Sequence, residues 1–194
     1  MTQPKNGHRE LRVNRHDCPS PHGLRTQFAR ALWSIVRLSL FLPSPSPFNA
    51  WRRLLLRLFG ARIGKGVKVM PTARIFAPWR LTMESQSCMG HYVDCYNLGG
   101  VSIGRNATVS QYSFLCGATH DHTLTTMPLV ARPISIGANA WICADTFIAP
   151  GVSVGEGTVV GARSSVFGDL PPWKLCHGSP ASVYGERVVH DKDD

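Results

Sequence analysis

The chain has 194 residues, 43% of them hydrophobic, with six cysteines and a formal net charge of +9. That length suits one domain that can bury a core without covalent staples. The cysteines, at 18, 88, 95, 116, 143 and 176, form no C-x-x-C pair and no paired framework, which fits a cytoplasmic setting better than an oxidising one. Residues 1–62 carry eleven Lys or Arg against two acids, and residues 63–194 carry ten of each, so the whole charge excess lies in the N-terminal extension.

Residues 1–24 are polar, with Pro4, Pro19 and Pro21, and read as an unstructured lead. Residues 25–62 read as a basic helical extension. Phe28, Ala31, Leu32, Ile35 and Val36 recur at helical spacing, and Pro43, Pro45 and Pro47 end that helix. Asn49 is a suitable cap for a second amphipathic helix that runs through Trp51 and the arginines after it to Gly60. The apolar run at 31–42 contains Arg37 and is shorter than the ~20 residues a membrane span needs. It also lies too far along the chain for a cleaved signal. Two readings of residues 27–60 stand side by side. They lie on the anionic inner face of a membrane, or they cap the open end of the domain that follows with their arginines in water. Nucleic acid is a poor fit, because the basic residues accompany Leu and Trp without a binding module.

From residue 63 to about 170 the chain repeats every six residues. The units start at Ile63, Val69, Ile75, Leu81, Ser87, Val93, Ile103, Val109, Leu115, Ile136, Ile142, Ile148, Val154, Val160 and Val166, and Ser87 is the one start that is not Val, Ile or Leu. Their fifth positions are mostly small or β-branched, among them Val67, Ala73, Ser85, Ala107, Ala140 and Ser164. A period of six fits neither an α-helix nor a half-buried strand. It fits a parallel β-helix of three units per coil, which predicts about five coils with the aliphatic starts pointing inward. Gly64, Gly104, Gly137, Gly155 and Gly161 follow the starts, where a corner with φ above zero is expected.

The period breaks twice. From Val93 to Ile103 the step is ten residues, and residues 121–135 (DHTLTTMPLVARPIS) leave the coil as a loop. Loops on a rigid scaffold carry function, and His120 stands at the mouth of this one. Residues 171–194 form a C-terminal segment.

The hexapeptide pattern, the T-H-D at 119–121, I-G-x-N-x-W from Ile136, I-A-P-G-V-x-V-G from Ile148, V-V-G-A-R-S-S-V from Val159 and G-S-P-A from Gly178 together resemble the left-handed β-helix acyltransferases. The segment Pro47 to Gly64 resembles the colanic-acid-type acetyltransferases within that family. The resemblance implies a left-handed parallel β-helix and a homotrimer with active sites between subunits. It also implies direct acetyl transfer from acetyl-CoA to a saccharide hydroxyl, with His120 as general base. Asn97 or Asp94 would orient the acceptor or His120. Trp141, Ala144, Gly161, Ala162 and Phe167 would line the coenzyme, with the Ala144 N–H also facing the developing oxyanion. The relatives' Thr-Lys is replaced here by Phe167-Gly168, and a basic residue by Ser182, so Lys174, Arg163 or Arg187 would have to meet the nucleotide phosphates.

Two other functions compete. His91, His120 and His122 suggest the zinc site of β-helix carbonic anhydrases, but no two of the chain's histidines have the five-residue spacing those enzymes use, and no metal is expected. A scaffold that has lost catalysis would account for Phe167-Gly168. Within acetyl transfer, an antibiotic or amino acid is the alternative acceptor.

Overall fold

The computed structural model describes residues 23–190. Of the lead at 1–24, residues 1–22 lie outside that range, and Leu24 opens the first helix. Helix α1 (Leu24–Val36) runs into a π-helical turn at Arg37–Phe41, and after the Pro43, Pro45 and Pro47 segment comes α2 (Asn49–Leu58). Asn49 is the first helical residue of α2 and not its cap; its Oδ1 accepts from Arg52 Nη2 at 3.1 Å.

Nineteen short strands then follow. The first coil is β1 (Arg62–Ile63), β2 (Lys68–Val69) and β3 (Arg74–Ile75); the second is β4 (Leu81–Met83), β5 (Cys88–Met89) and β6 (Asp94–Tyr96). The third is β7 (Val101–Ile103), β8 (Thr108–Val109) and β9 (Phe114–Cys116). A hairpin of β10 (Ala118–His120) and β11 (Leu129–Ala131) then leaves the coil. The fourth coil is β12 (Ile134–Ile136), β13 (Trp141–Ile142) and β14 (Phe147–Ile148), and the fifth is β15 (Ser153–Val154), β16 (Val159–Val160) and β17 (Ser165–Val166). A sixth, incomplete turn ends in β18 (Lys174–Gly178), which pairs antiparallel with β19 (Ala181–Glu186). Equivalent strands stack in parallel into three faces: A (β1-β4-β7-β12-β15), B (β2-β5-β8-β13-β16-β18, edged by β19) and C (β3-β6-β9-β14-β17).

The pairing corrects the phase of the second coil. Ile63 lies over Met83, Val69 over Met89 and Ile75 over Cys95, and these lie in turn over Ile103, Val109 and Leu115. The column therefore runs through Met83, Met89 and Cys95, and Ser87 is a buried small position rather than a unit start. The single ten-residue step becomes two eight-residue steps, Ile75 to Met83 and Cys95 to Ile103. The first holds a 3-10 turn at Pro78–Arg80. A slip of two residues leaves the inward face inward, so the hydrophobic pattern alone cannot reject it.

The corner glycines also serve a different purpose from the expected one. Gly64, Gly104, Gly137 and Gly155 do not have positive φ; that conformation falls two residues later, at Gly66, Asn106, Asn139 and Gly157. A Cβ at Gly64 would lie 2.6 Å from the Ser85 nitrogen, and one at Gly104 2.5 Å from that of Ala138. Close approach of the neighbouring coil's backbone, not φ, requires glycine there.

At the base of the prism the open strand edges meet side chains of the helices. Arg57 donates to the Ile63 carbonyl from Nε and Nη2, at 3.1 and 2.6 Å. Arg52 Nε donates to Val69 O at 2.6 Å and Arg53 Nη1 to Val67 O at 3.0 Å, and Trp33 Nε1 donates to Ile75 O at 2.7 Å. The helices thus cap all three faces, and the arginines expected in water do the capping. Unpaired edge carbonyls would otherwise be left to solvent or to aggregation.

Candidate active site

The β10–β11 hairpin stands at the corner between faces C and A, directly after the third coil. Its pairing runs from Ala118 opposite Ala131 to His120 opposite Leu129. Its tip is closed by Asp121, whose N–H donates to Pro128 O at 2.9 Å and whose carboxylate accepts from the Thr123 N–H and hydroxyl at 3.0 and 2.6 Å. Those bonds from Thr123 hold the Asp121 carboxyl below the ordinary carboxylate range.

His120 is exposed, and its Nδ1 lies 2.6 Å from the Met127 carbonyl oxygen. A carbonyl can only accept, so Nδ1 must carry the proton. In the neutral ring Nε2 then keeps its lone pair. This is the tautomer a general base needs.

A cleft of about 550 Å³ opens beside His120, walled by Cys116, Thr119, Arg132, Phe147 and Phe167. Phe147 sits between Phe114 and Phe167, with ring centroids 5.7 Å away on each side, so the floor is apolar. Arg132 brings a cation to the wall; among the described residues its guanidinium has no hydrogen-bond or ion-pair partner, and its stem lies over Gly151. Burial pushes the Cys116 thiol up, against nucleophilic use. A larger depression of about 700 Å³ on face A lies among Arg57, Glu84 and Arg105, but Glu84 there accepts from the Arg105 N–H at 3.1 Å and no histidine is nearby. The groups suited to proton transfer are in the smaller cleft.

The remaining candidates are dispersed. Asn97 is fully buried, and its amide clamps one residue: Oδ1 accepts from Ala77 N at 2.9 Å and Nδ2 donates to Ala77 O at 2.7 Å. Both ends are used, so it holds the Ala77 corner and presents nothing to an acceptor. Asp94 lies on face C, 3.4 Å from Arg74, with its pKa raised by burial against the pull of Arg74 and Arg37, and it does not line the cleft. Trp141 is exposed on face B and donates from Nε1 to Ser110 Oγ at 2.9 Å. Ala144 and Ala162 stack at the corner between faces B and C, where Arg163 N donates to Ala144 O at 2.9 Å. Among the described residues, neither alanine's own N–H finds an acceptor in the chain. Gly161 N–H is spent in the ladder on Cys176 O at 2.7 Å. Phe167 lines the cleft. Lys174 is paired with Glu186, and Arg187 donates to Asn139 O and Gly157 O at 2.8 Å each, so neither cation is free for a phosphate. Arg163 is exposed and 3.5 Å from Asp145. Among the described residues no group of three His, Cys, Asp or Glu could hold a metal ion.

The candidate residues therefore fall into two halves on one chain. His120, Arg132, Phe147 and Phe167 belong to the hairpin and face C, whereas Trp141 and the free N–H groups of Ala144 and Ala162 belong to face B and its corner. The sequence reading left out Arg132, the only cation of the loop at 121–135, and Phe147, an aromatic at an outward position of a strand.

Residues 133–168 match the model of the bacterial transferase hexapeptide (six repeats) family. The protein of Escherichia coli (strain K12) named "Putative colanic acid biosynthesis acetyltransferase WcaF" is 47% identical over 157 residues, which covers 81% of this chain and 86% of that protein. Among solved structures, a hexapeptide-repeat-containing acetyltransferase from Vibrio cholerae O1 biovar eltor, complexed with acetyl coenzyme A, superposes with a TM-score of 0.80 at 21% identity, over 88% of this chain and 93% of that one. A maltose O-acetyltransferase from Clostridium difficile 630 does so with a TM-score of 0.76 at 23% identity, over 84% and 88%. The stacked hexads and this near full-length kinship show that the chain belongs to the hexapeptide-repeat acetyltransferases, whose fold is the left-handed parallel β-helix.

Proposed function

We propose that the protein moves an acetyl group from acetyl-CoA to a hydroxyl of a saccharide in exopolysaccharide biosynthesis, with His120 as general base. The observation that carries this is the 2.6 Å bond from His120 Nδ1 to Met127 O, which leaves Nε2 to take a proton. Kinship with WcaF and the fold shared with a maltose O-acetyltransferase support the saccharide as acceptor class. A hydroxyl is a weak nucleophile at neutral pH. As its oxygen bonds to the thioester carbon, Nε2 takes its proton; as the C–S bond breaks, the imidazolium returns that proton to the sulfur. The unused N–H groups of Ala144 and Ala162 suit the amide carbonyls of the pantetheine arm, and the Ala144 N–H suits the oxyanion. The apolar wall of Phe147 and Phe167 suits the acetyl end. Arg132, without a partner among the described residues and beside the base, suits an acceptor that carries a carboxylate or phosphate.

Because the two halves lie on different faces, one chain does not complete the site. A closed homotrimer, in which face C of one prism meets face B of the next, would join them.

The test is thiol release from acetyl-CoA by the purified protein in the presence of neutral, anionic and lipid-linked sugars. His120→Ala is expected to lower turnover about 10²–10⁴-fold with an unchanged circular dichroism spectrum. Unchanged turnover in that variant removes His120 from the chemistry, and no thiol release with any sugar removes the saccharide reading.

A further inference from the structure

The apolar stripe legible in α1 faces out of the molecule. The inward face of the segment is made by Trp33 and Phe41, both buried, with Val36 packed against the core. Leu24, Phe28, Leu32 and Ile35 follow one another at four- and three-residue spacing on the opposite side, 84%, 73%, 45% and 63% exposed, and Leu38 and Leu42 continue the stripe through the π-turn. At the end of the stripe, Leu40, Pro43, Pro45, Phe48 and Trp51 line an apolar notch of about 460 Å³. A soluble monomer seldom leaves so continuous an apolar surface bare.

We propose that this face is the docking surface for an anionic lipid bilayer, on which α1 lies in the interfacial plane and the notch receives part of an acyl chain. Two observations favour lipid over a second copy or another protein. Residues 23–62 contain no Asp or Glu, and although Arg52, Arg53 and Arg57 are spent on the base of the prism, Arg25, Arg30 and Arg37 belong to α1 and its π-turn, so this segment carries cations without anions and attracts acidic headgroups. Arg25 flanks the stripe between Leu24 and Phe28 and is exposed. No helix among the described residues is long and apolar enough to cross a membrane, so against a bilayer α1, with 13 residues, would lie along the surface and not across it. Docking there would bring the catalytic body to acceptors carried on lipid. The inference does not depend on the chemistry at His120.

The experiment is co-sedimentation of the full-length protein with vesicles of phosphatidylcholine alone and of phosphatidylcholine with phosphatidylglycerol. Binding to the phosphatidylglycerol vesicles that weakens with salt is expected, falling at least about tenfold in Phe28→Ser/Ile35→Ser. Arg25→Glu should weaken binding to the phosphatidylglycerol vesicles. Acetyl transfer to a soluble acceptor should persist in all three proteins, and this separates failure of docking from failure of the activity. Absence of binding to either vesicle overturns the proposal, as does unaltered binding of the double variant. So does dissociation of an oligomer by the double variant in light scattering, which would assign the stripe to a second copy.

Discussion

His120 and Met127 face each other across the β10–β11 hairpin, and the 2.6 Å bond between the imidazole Nδ1 and the main-chain carbonyl joins them. Met127 adopts φ of 45°, a left-handed conformation uncommon for a residue with a side chain, and the hairpin maintains it in presenting that carbonyl. Proline fixes φ near −65° and cannot take this conformation. Met127→Pro is therefore expected to misplace the carbonyl and lower turnover by about tenfold or more, while the melting temperature of the β-helix stays close to that of the parent. Steady-state kinetics and a thermal melt together check this, and full activity in the variant would separate His120's function from that bond.

Asn97 has the opposite standing: conspicuous in sequence, structural in the fold. Its amide satisfies both main-chain groups of Ala77 in a fully buried place. Asn97→Ala leaves two buried polar groups unpaired, at about 1–3 kcal/mol each, and should lower stability accordingly in denaturant titration. In the folded protein the KM for the acceptor should be unchanged. A raised KM with normal stability would return Asn97 to the site.

The contrast shows what could be read before the structure was known. Inward residues such as Ile103 and Ile142 repeat on a period that only one architecture satisfies, so the coils were legible. The phase of Met83, Met89 and Cys95 was not, because a two-residue slip preserves the inward face. His120 could be found because it borders the largest break in the period. Arg132 and Phe147 could not be joined to it, since the loop's return path and the stacking of face C bring them together over distances the period does not encode. Sequence places the arginines of α2 against an anionic membrane or in water, because it carries no signal that a strand edge awaits them.

Asp94 gives a stability effect with a definite sign. Burial raises its pKa, and the nearby cations Arg74 and Arg37 only partly oppose that. The folded state therefore holds the carboxylate less well than the unfolded chain does. The cost to stability is present above the raised pKa and disappears as the pH falls below the ordinary carboxylate range. Asp94→Asn removes the cost along with an exposed ion pair to Arg74 worth at most ~1 kcal/mol. The variant should melt higher than the parent near pH 7, with the difference closing toward about pH 3. A lower melting temperature at neutral pH would mean that the pairing with Arg74 outweighs burial.

Arg52 is the side chain on which the base of the prism depends most. It is completely buried; Nε donates to Val69 O at 2.6 Å, and Nη1 donates to Ser44 Oγ and Pro45 O at 2.8 Å each. Nη2 serves Ser46 O and Asn49 Oδ1. One planar guanidinium thus ties α2, the proline segment and the edge of face B together, while burial lowers its pKa. Arg52→Met keeps much of the volume and removes every donor, which strands the carbonyl of Val69 and takes from Ser44, Pro45, Ser46 and Asn49 their bonds to a charged donor. With about 1–3 kcal/mol for the stranded carbonyl, and about 1.5–3 kcal/mol for a bond to a charged group, the loss should reach about 3 kcal/mol or more. In a chain of this size that lowers the melting temperature by roughly 6–12 °C. Arg52→Lys, with a single point of charge in place of the fork, should recover little of it. Arg53→Ala, which removes a partly buried bond to Val67 O, should cost visibly less. A melting temperature within about 2 °C of the parent for Arg52→Met would show that water replaces the guanidinium at that edge and that the cap is dispensable.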